Sequence, residues 1–388
     1  MDNHSTTRVD SRVVEAMLPY FTAQYGNAAS TSHSFGWDAK AAVDQSRESI
    51  AAAIHATPRE IVFTSGATES DNLAIRGVTE RTRRRGNHIV SLQTEHKAVL
   101  DLLSHVMRKG FEVTLLPVAQ HGSPEAGLVD VGRLRESLRD DTCLVSVMLA
   151  NNEIGVIQPI AEIGRLCRER GIPFHCDATQ AVGKLPVDVE ALHVDLLSFT
   201  AHKIYGPKGI GALYVRRRPP QVRLEPQILG GGHENGFRSG TLNVPGIAGF
   251  AKALELCLAE MESEQERLSH LRSALLAKLQ AAIPQMALNG PDFEAHSDLR
   301  LPGNLNCTFH NVDGEALMMS MRDVALSSGA ACTSTNPEPS HVLRALGLSD
   351  DLTRASLRFG LGRFNTQEEV EFAAGSVAAA VQRLRALR

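Results

Sequence analysis

The sequence predicts an α/β protein: a large domain with a mostly parallel, seven-stranded sheet under helices, then a smaller α+β domain. Three observations carry this. Seven short apolar runs lie between Ile61 and Val215, rich in Val, Ile, Leu and Phe and poor in alternation. Strands buried on both faces read this way. Helix-like segments separate most of them, as in βαβ units. From about Pro245 the texture changes to long Ala-, Leu- and Glu-rich stretches with isolated strands between them.

The strand-like runs are 61–64, 88–92, 113–117, 143–149, 172–176, 194–199 and 210–215. Helix-like stretches at 67–77, 96–108 and 160–170 alternate with them. The last two strands follow each other too closely for a parallel crossover, so one antiparallel member is expected. Beyond them, 249–283 reads as one long helix. A strand at 304–310, a helix from Gly314, a strand at 324–327, a helix at 340–345, a strand at 355–360 and a final helix from Gln367 follow. The expected division is a large domain at 13–247 and a small one made of 1–12 and 248–388, with a loop at about 327–340.

Composition excludes several classes. The 388 residues are 43% hydrophobic and 22% charged, with a formal net charge of -4. That balance asks for neither nucleic acid nor an anionic membrane as a partner. The basic runs Arg81, Arg83, Arg84, Arg85 and Arg216 to Arg218 read as a solvated helix end and a solvated strand exit. The N-terminus has no basic-then-apolar leader, and no stretch approaches the roughly 20 apolar residues of a membrane span. Six cysteines are scattered without metal-type spacing, so no metal site and reduced thiols in a cytoplasmic setting are expected. Most should be small buried residues.

Several polar motifs follow apolar strands. Ser198-Phe-Thr-Ala-His-Lys203 ends a strand in a hydroxyl, a histidine and a lysine. A desolvated lysine there is an amine nucleophile suited to a carbonyl cofactor; alone, it would read as a surface lysine. Asp177, at the end of another strand, can pair with a protonated pyridine nitrogen or cap a helix. Thr64-Ser-Gly-Ala-Thr-Glu-Ser70 opens a helix after a strand, which is a phosphate site or plain capping. His96 can stack on a ring or carry protons, and Asn152 can bond a ring substituent or shape a turn. All of these lie at strand C-termini, the ligand edge of an open α/β sheet. Separately, Cys332 stands in Ser327-Ser-Gly-Ala-Ala-Cys-Thr-Ser-Thr-Asn-Pro-Glu-Pro-Ser340, a loop of small residues and prolines. A cysteine there is not a core residue, and an exposed thiolate is a nucleophile.

Together these motifs resemble the cysteine desulfurase family, within the aspartate-aminotransferase-like, fold type I enzymes that use pyridoxal 5'-phosphate (PLP). The resemblance runs over essentially the whole chain. It includes Thr94-Glu-His-Lys, Asn151-Asn-Glu-Ile-Gly, Asp177-Ala-Thr-Gln, Ala201-His-Lys-Ile-Tyr-Gly-Pro-Lys-Gly, Arg238-Ser-Gly-Thr-Leu and Arg358-Phe-Gly-Leu-Gly-Arg. The long cysteine loop resembles the group with the housekeeping and nitrogen-fixation enzymes. The resemblance implies that Lys203 carries PLP as a Schiff base, His96 stacks on the ring, and Asp177 pairs with the ring nitrogen. It implies that Asn152 and Gln180 contact the ring oxygen, that Ala67, Thr68, Thr200 and His202 hold the phosphate, and that Thr241 reaches the neighbouring subunit's phosphate in a homodimer. Arg358 would hold the substrate carboxylate, and Cys332 would take sulfur from L-cysteine as a persulfide for an acceptor such as an iron–sulfur scaffold protein. Ser5 and Arg8 stand where family members often have Ala and Pro, in a segment expected near the site's mouth. A selenocysteine lyase fits the same residues. A plain aminotransferase would leave Cys332 unexplained, and an inactive scaffold would leave Lys203, Asp177 and Cys332 unexplained.

Overall fold

The computed structural model describes residues 1–82, 86–293, 296–328 and 338–387. Its strands are β1 (Ile61–Thr64), β2 (His88–Leu92), β3 (Glu112–Leu116), β4 (Thr142–Ser146), β5 (Phe174–Asp177), β6 (Leu196–Thr200), β7 (Gly211–Val215), β8 (Met286–Leu288), β9 (Asn304–Phe309) and β10 (Ser356–Gly360). The first seven form one sheet in the order β1-β7-β6-β5-β4-β2-β3. Pairing is parallel from β6 through β3, and only β7 is reversed, antiparallel to both β6 and β1. The C-terminal ends of β1, β2, β4, β5 and β6 therefore share one edge with the start of β7.

Helices cover both faces. Ser34–Ala53 and Val244–Ala259 bring Val43, Ile50, Ile247 and Phe250 against Val145, Phe174, Phe199 and Tyr214 on one face. Ala67–Thr82 and Lys97–Met107 bring Leu73, Ile75, Val99 and Leu102 against Val62, Ile89 and Leu213 on the other. This two-sided burial explains why the strand sequences lack alternation. A second core lies on the antiparallel sheet β10-β9-β8. There Leu275 and Leu279 of helix Met261–Ala282 and Val370 and Val377 of helix Gln367–Ala386 pack on Leu305, Phe309, Leu357 and Phe359.

Three sequence expectations need correction. The single helix expected over 249–283 is two, Val244–Ala259 and Met261–Ala282, broken at Glu260 (φ -104°, ψ 3°). The two halves serve different cores, so one straight axis cannot satisfy both. Glu260 is also held at the break by Arg12 and Arg363, at 2.6 and 3.3 Å. No strand forms at 324–327; Ser327 alone bridges to Arg358 of β10. Arg216 is buried and paired with Glu190 at 3.1 Å, not a solvated strand exit. Arg83, Arg84 and Arg85 lie outside the described residues.

The N-terminal segment joins the two cores. Asn3 N donates to Gly360 O, and Gly360 N donates to Met1 O, on the β10 side. Thr7 donates from both N and Oγ1 to His202 O on the β6 side. The segment thus runs past the shared strand edge. Among the described residues no helix is long and apolar enough to cross a membrane.

Candidate active site

A cavity of about 470 Å³ opens at the C-terminal strand edge. Ala67, Thr68, His96, Asn152, Asp177, Gln180, Thr200, His202, Lys203 and Arg358 all line it. Ten of the sequence-derived positions therefore meet in one place. Thr241 does not line it and is exposed on the surface. Cys332 lies outside the described residues.

At one end of the cavity, β1 gives way through Ser65 and Gly66 to the helix Ala67–Thr82. The first N–H groups of a helix have no partner within it and point at whatever sits there. Thr200 and His202 arrive from the end of β6. Gly211 opens β7 against this turn, where an added Cβ would stand 2.7 Å from Gly66 Cα, so only glycine lets the two backbones meet. His202 is neutral at physiological pH: burial, then the nearby Lys203, pushes its pKa down to about 4. Its Nδ1 meets Thr6 Oγ1 at 3.1 Å. Amides, the Thr68 hydroxyl and a neutral imidazole make a donor set for a phosphate, while the Thr200 hydroxyl donates to Ile210 O at 2.9 Å.

Asp177 lines the same cavity and is buried. Its Oδ1 accepts from Thr179 N at 2.9 Å, and among the described residues no Lys or Arg pairs with it. Burial, then the field of Asp71, pushes its pKa up. A buried carboxylate without a cation is costly, and a protonated ring nitrogen supplies the missing charge. His96 caps the helix Lys97–Met107 by accepting from Ala98 N at Nδ1, which puts its proton on Nε2. Burial lowers its pKa, so it faces the cavity as a neutral ring. Gln180 bonds with the N-terminal segment: Nε2 donates to His4 O, and Oε1 meets His4 Nδ1 and Lys184 Nζ.

Lys203 ends a single 3-10 turn after β6. Its Nζ donates to His4 O and Ser5 O, both at 2.6 Å. The turn is fixed by Tyr205, whose N donates to Thr7 Oγ1 and whose φ is +63°. Arg358 comes from β10 and is buried. It donates to Asn152 O, Asp2 Oδ1 and Ser5 Oγ. The donor set, the lone carboxylate and the amine fit the phosphate, ring nitrogen and aldehyde of PLP.

Sequence reasoning missed Asp71, which stands on the helix Ala67–Thr82 and lines the same cavity. It is buried, 3.5 Å from His175 Nε2, and neither oxygen has a well-formed hydrogen bond. Burial pushes its pKa up to about 7 despite the nearby Ser198 hydroxyl. Its place on the helical face pointing at the sheet was the only signal. Because the folded value lies above the ordinary 3.8, folding is favoured below that value, and this contribution is lost as pH rises through about 7. In cofactor-free protein, Asp71→Asn should remove that loss. Relative to wild type it should gain roughly 1 kcal/mol per pH unit between pH 4 and 7. Urea unfolding across that range tests this, and parallel profiles for the two proteins would refute it.

Both flanks of the Cys332 loop reach this site. Ser327 N and O pair with the backbone of Arg358. Ser340 Oγ donates to Glu153, next to Asn152, and His341 Nε2 bonds Glu95 O, next to His96. The remaining cysteines 143, 167, 176, 257 and 307 are all buried, and burial pushes the Cys257 and Cys307 thiols up to about 12. They are inert by position.

The model of the aminotransferase class-V family matches residues 1–372. The chain is 56% identical over 386 residues to "Cysteine desulfurase IscS" of Anaeromyxobacter dehalogenans (strain 2CP-C), covering 99% of this chain and 93% of that protein. It is 53% identical to the protein of the same name from Neisseria meningitidis serogroup A, covering 100% and 93%. Among solved structures, a "NifS-like protein" superposes with a TM-score of 0.89 at 35% identity over 99% of both chains. "SspA in complex with cysteine" superposes at 0.79 and 35% identity, covering 94% of this chain and 99% of that one. The chain belongs to the aminotransferase class-V family and, within it, to the PLP-dependent cysteine desulfurases.

Proposed function

We propose that this chain converts L-cysteine to L-alanine and carries the released sulfur as a persulfide on Cys332 to an acceptor. The observation that carries the reading is that buried Asp177, which no Lys or Arg pairs among the described residues, lines one cavity with Lys203 and the buried Arg358. A relative solved with cysteine supports the substrate.

Ala67, Thr68, Thr200 and His202 would hold the phosphate, and Asp177 the ring nitrogen, with His96 against the ring and Asn152 and Gln180 near its oxygen. PLP bound there supplies an electron sink conjugated to the substrate nitrogen. Arg358 holds the substrate carboxylate. Lys203 takes the proton from Cα, and the nearby His96 carries protons. The Cys332 thiolate attacks the substrate sulfur. An S–S bond forms as the Cβ–S bond breaks, the electron pair stays on carbon, Cβ takes a proton, and Lys203 returns a proton to Cα to give alanine. In this reading the sheet domain (13–247) holds the cofactor, and the small domain (1–12 and 248–388) delivers Cys332.

The reading includes a homodimer and a cytoplasmic setting with an iron–sulfur scaffold as acceptor. Leu18, Phe21, Tyr25, Phe35 and Trp37 are large apolar side chains exposed in one N-terminal stretch, the composition of an interface core. Thr241 would act across that dimer.

One preparation tests these points. Purified with PLP, the protein should be yellow, sediment as a dimer and form equal alanine and sulfide from L-cysteine with reductant. L-Selenocysteine, run in parallel, separates desulfurase from selenocysteine lyase by kcat/KM. A protein that stays colourless after PLP is added refutes the reading.

A further inference from the structure

The guanidinium of Arg358 is already engaged from the N-terminal segment. Nη2 donates to Asp2 Oδ1 at 2.8 Å and to Ser5 Oγ at 2.7 Å, and Nη1 donates to Asn152 O at 3.1 Å. A two-pronged grip on a carboxylate needs N–H groups on adjacent nitrogens, either Nε with Nη2 or Nη1 with Nη2. Both forks run through Nη2, and both of its hydrogens are taken. Nε is buried and has no acceptor among the described residues, so one fork has an idle member there. A substrate carboxylate can have two prongs only if Asp2 or Ser5 lets go.

Asp2 is the poorer candidate to leave. Its carboxylate is the ionic partner of a guanidinium whose side chain is only 2% exposed, and displacing it would exchange one ion pair for another and strip the charge of a partly buried Asp2 of that partner. Ser5 is neutral. Its backbone stays docked, with N on Asp2 O and O on Lys203 Nζ, while its hydroxyl can swing by one staggered χ1 step. Ser5 also lines the cavity.

We propose that Ser5 is a positioning residue that sets substrate affinity: its hydroxyl occupies the Arg358 N–H that the substrate carboxylate must take, and it rotates away when an amino acid binds. This rests on Arg358 as the carboxylate site. Ser5 therefore weakens binding of carboxylate-bearing ligands and leaves the chemical step alone.

The test uses the PLP-loaded enzyme. Binding of L-alanine, and of ethylamine as the same amine without a carboxylate, is measured by calorimetry, and KM and kcat for L-cysteine are measured alongside. Ser5→Ala should tighten L-alanine binding and lower KM for L-cysteine by roughly tenfold, the worth of one hydrogen bond to a charged group. The kcat and the ethylamine affinity should be unchanged. Arg358→Met should drop L-alanine to the ethylamine level. If Arg358→Met weakens L-alanine while Ser5→Ala leaves it unchanged or weaker, Ser5 has no such role, and the carboxylate site stands. If Arg358→Met does not weaken L-alanine, the carboxylate site itself is wrong, and the proposal falls with it.

Discussion

Cys332→Ala should keep the yellow colour and the PLP affinity of the wild type and lose L-cysteine turnover by at least roughly a hundredfold, the scale on which removing an attacking nucleophile acts. The separation follows from the geometry. Phosphate, ring and lysine groups all belong to the strand edge of the large sheet, whereas Cys332 is four residues from Ser328 in a loop between Ser327 and Ser340. Four residues of chain reach at most roughly 14 Å, enough to bring a thiol from the Arg358 strand to a substrate on Arg358. The other thiols cannot substitute, because all five are buried and burial raises the pKa of Cys167, Cys176, Cys257 and Cys307. Alanine and sulfide release on Cys332→Ala, measured beside its absorption spectrum, decides the matter. A yellow variant with wild-type sulfide release would keep the cofactor and overturn the persulfide step.

Much of this was legible in the sequence, for reasons that can be named. Strands β1, β2 and β5 through β7 stand within two residues of the apolar runs because burial on both faces leaves no polar positions to blur them. Lys203, Asp177 and His96 were readable because each ends or follows such a run, and parallel topology sends those ends to one edge. The break at Glu260 was not readable. Helical propensity continues through it, and only the two separate cores explain the stop. Asp71 was hidden for another reason, and Ser5 stood out only as a departure from the family pattern. Their meaning lies in contacts with Asp177 and Arg358, 106 and 353 positions away, which no local pattern reports. The N-terminal segment could be placed near the site's mouth from the resemblance, but not on both Lys203 and Arg358.

Lys203→Ala should be the most damaging single change in the cavity, because one amine serves two needs. It is the group positioned to hold the cofactor covalently, and the base for the Cα proton. Loss of a positioned base alone costs roughly 10²–10⁴ in rate. Among the described residues no other group is placed to take over both parts. His96 is fixed as a neutral N-cap with its Nδ1 occupied. Lys184 is half-buried, with a pKa pushed down to about 7 by desolvation, yet it is engaged by Gln180, to which it donates at 2.8 Å. The fold itself should tolerate the change. Lys203 is held by two backbone carbonyls of the N-terminal segment, and that segment keeps its other ties to His202, Tyr205 and Gly360. Lys203→Ala should therefore remain folded by circular dichroism, lose the wild-type absorption band near about 400 nm of a PLP Schiff base, and form no measurable alanine from L-cysteine. Turnover within tenfold of wild type would mean that another group moves the proton, and the role given to Lys203 would have to be reassigned.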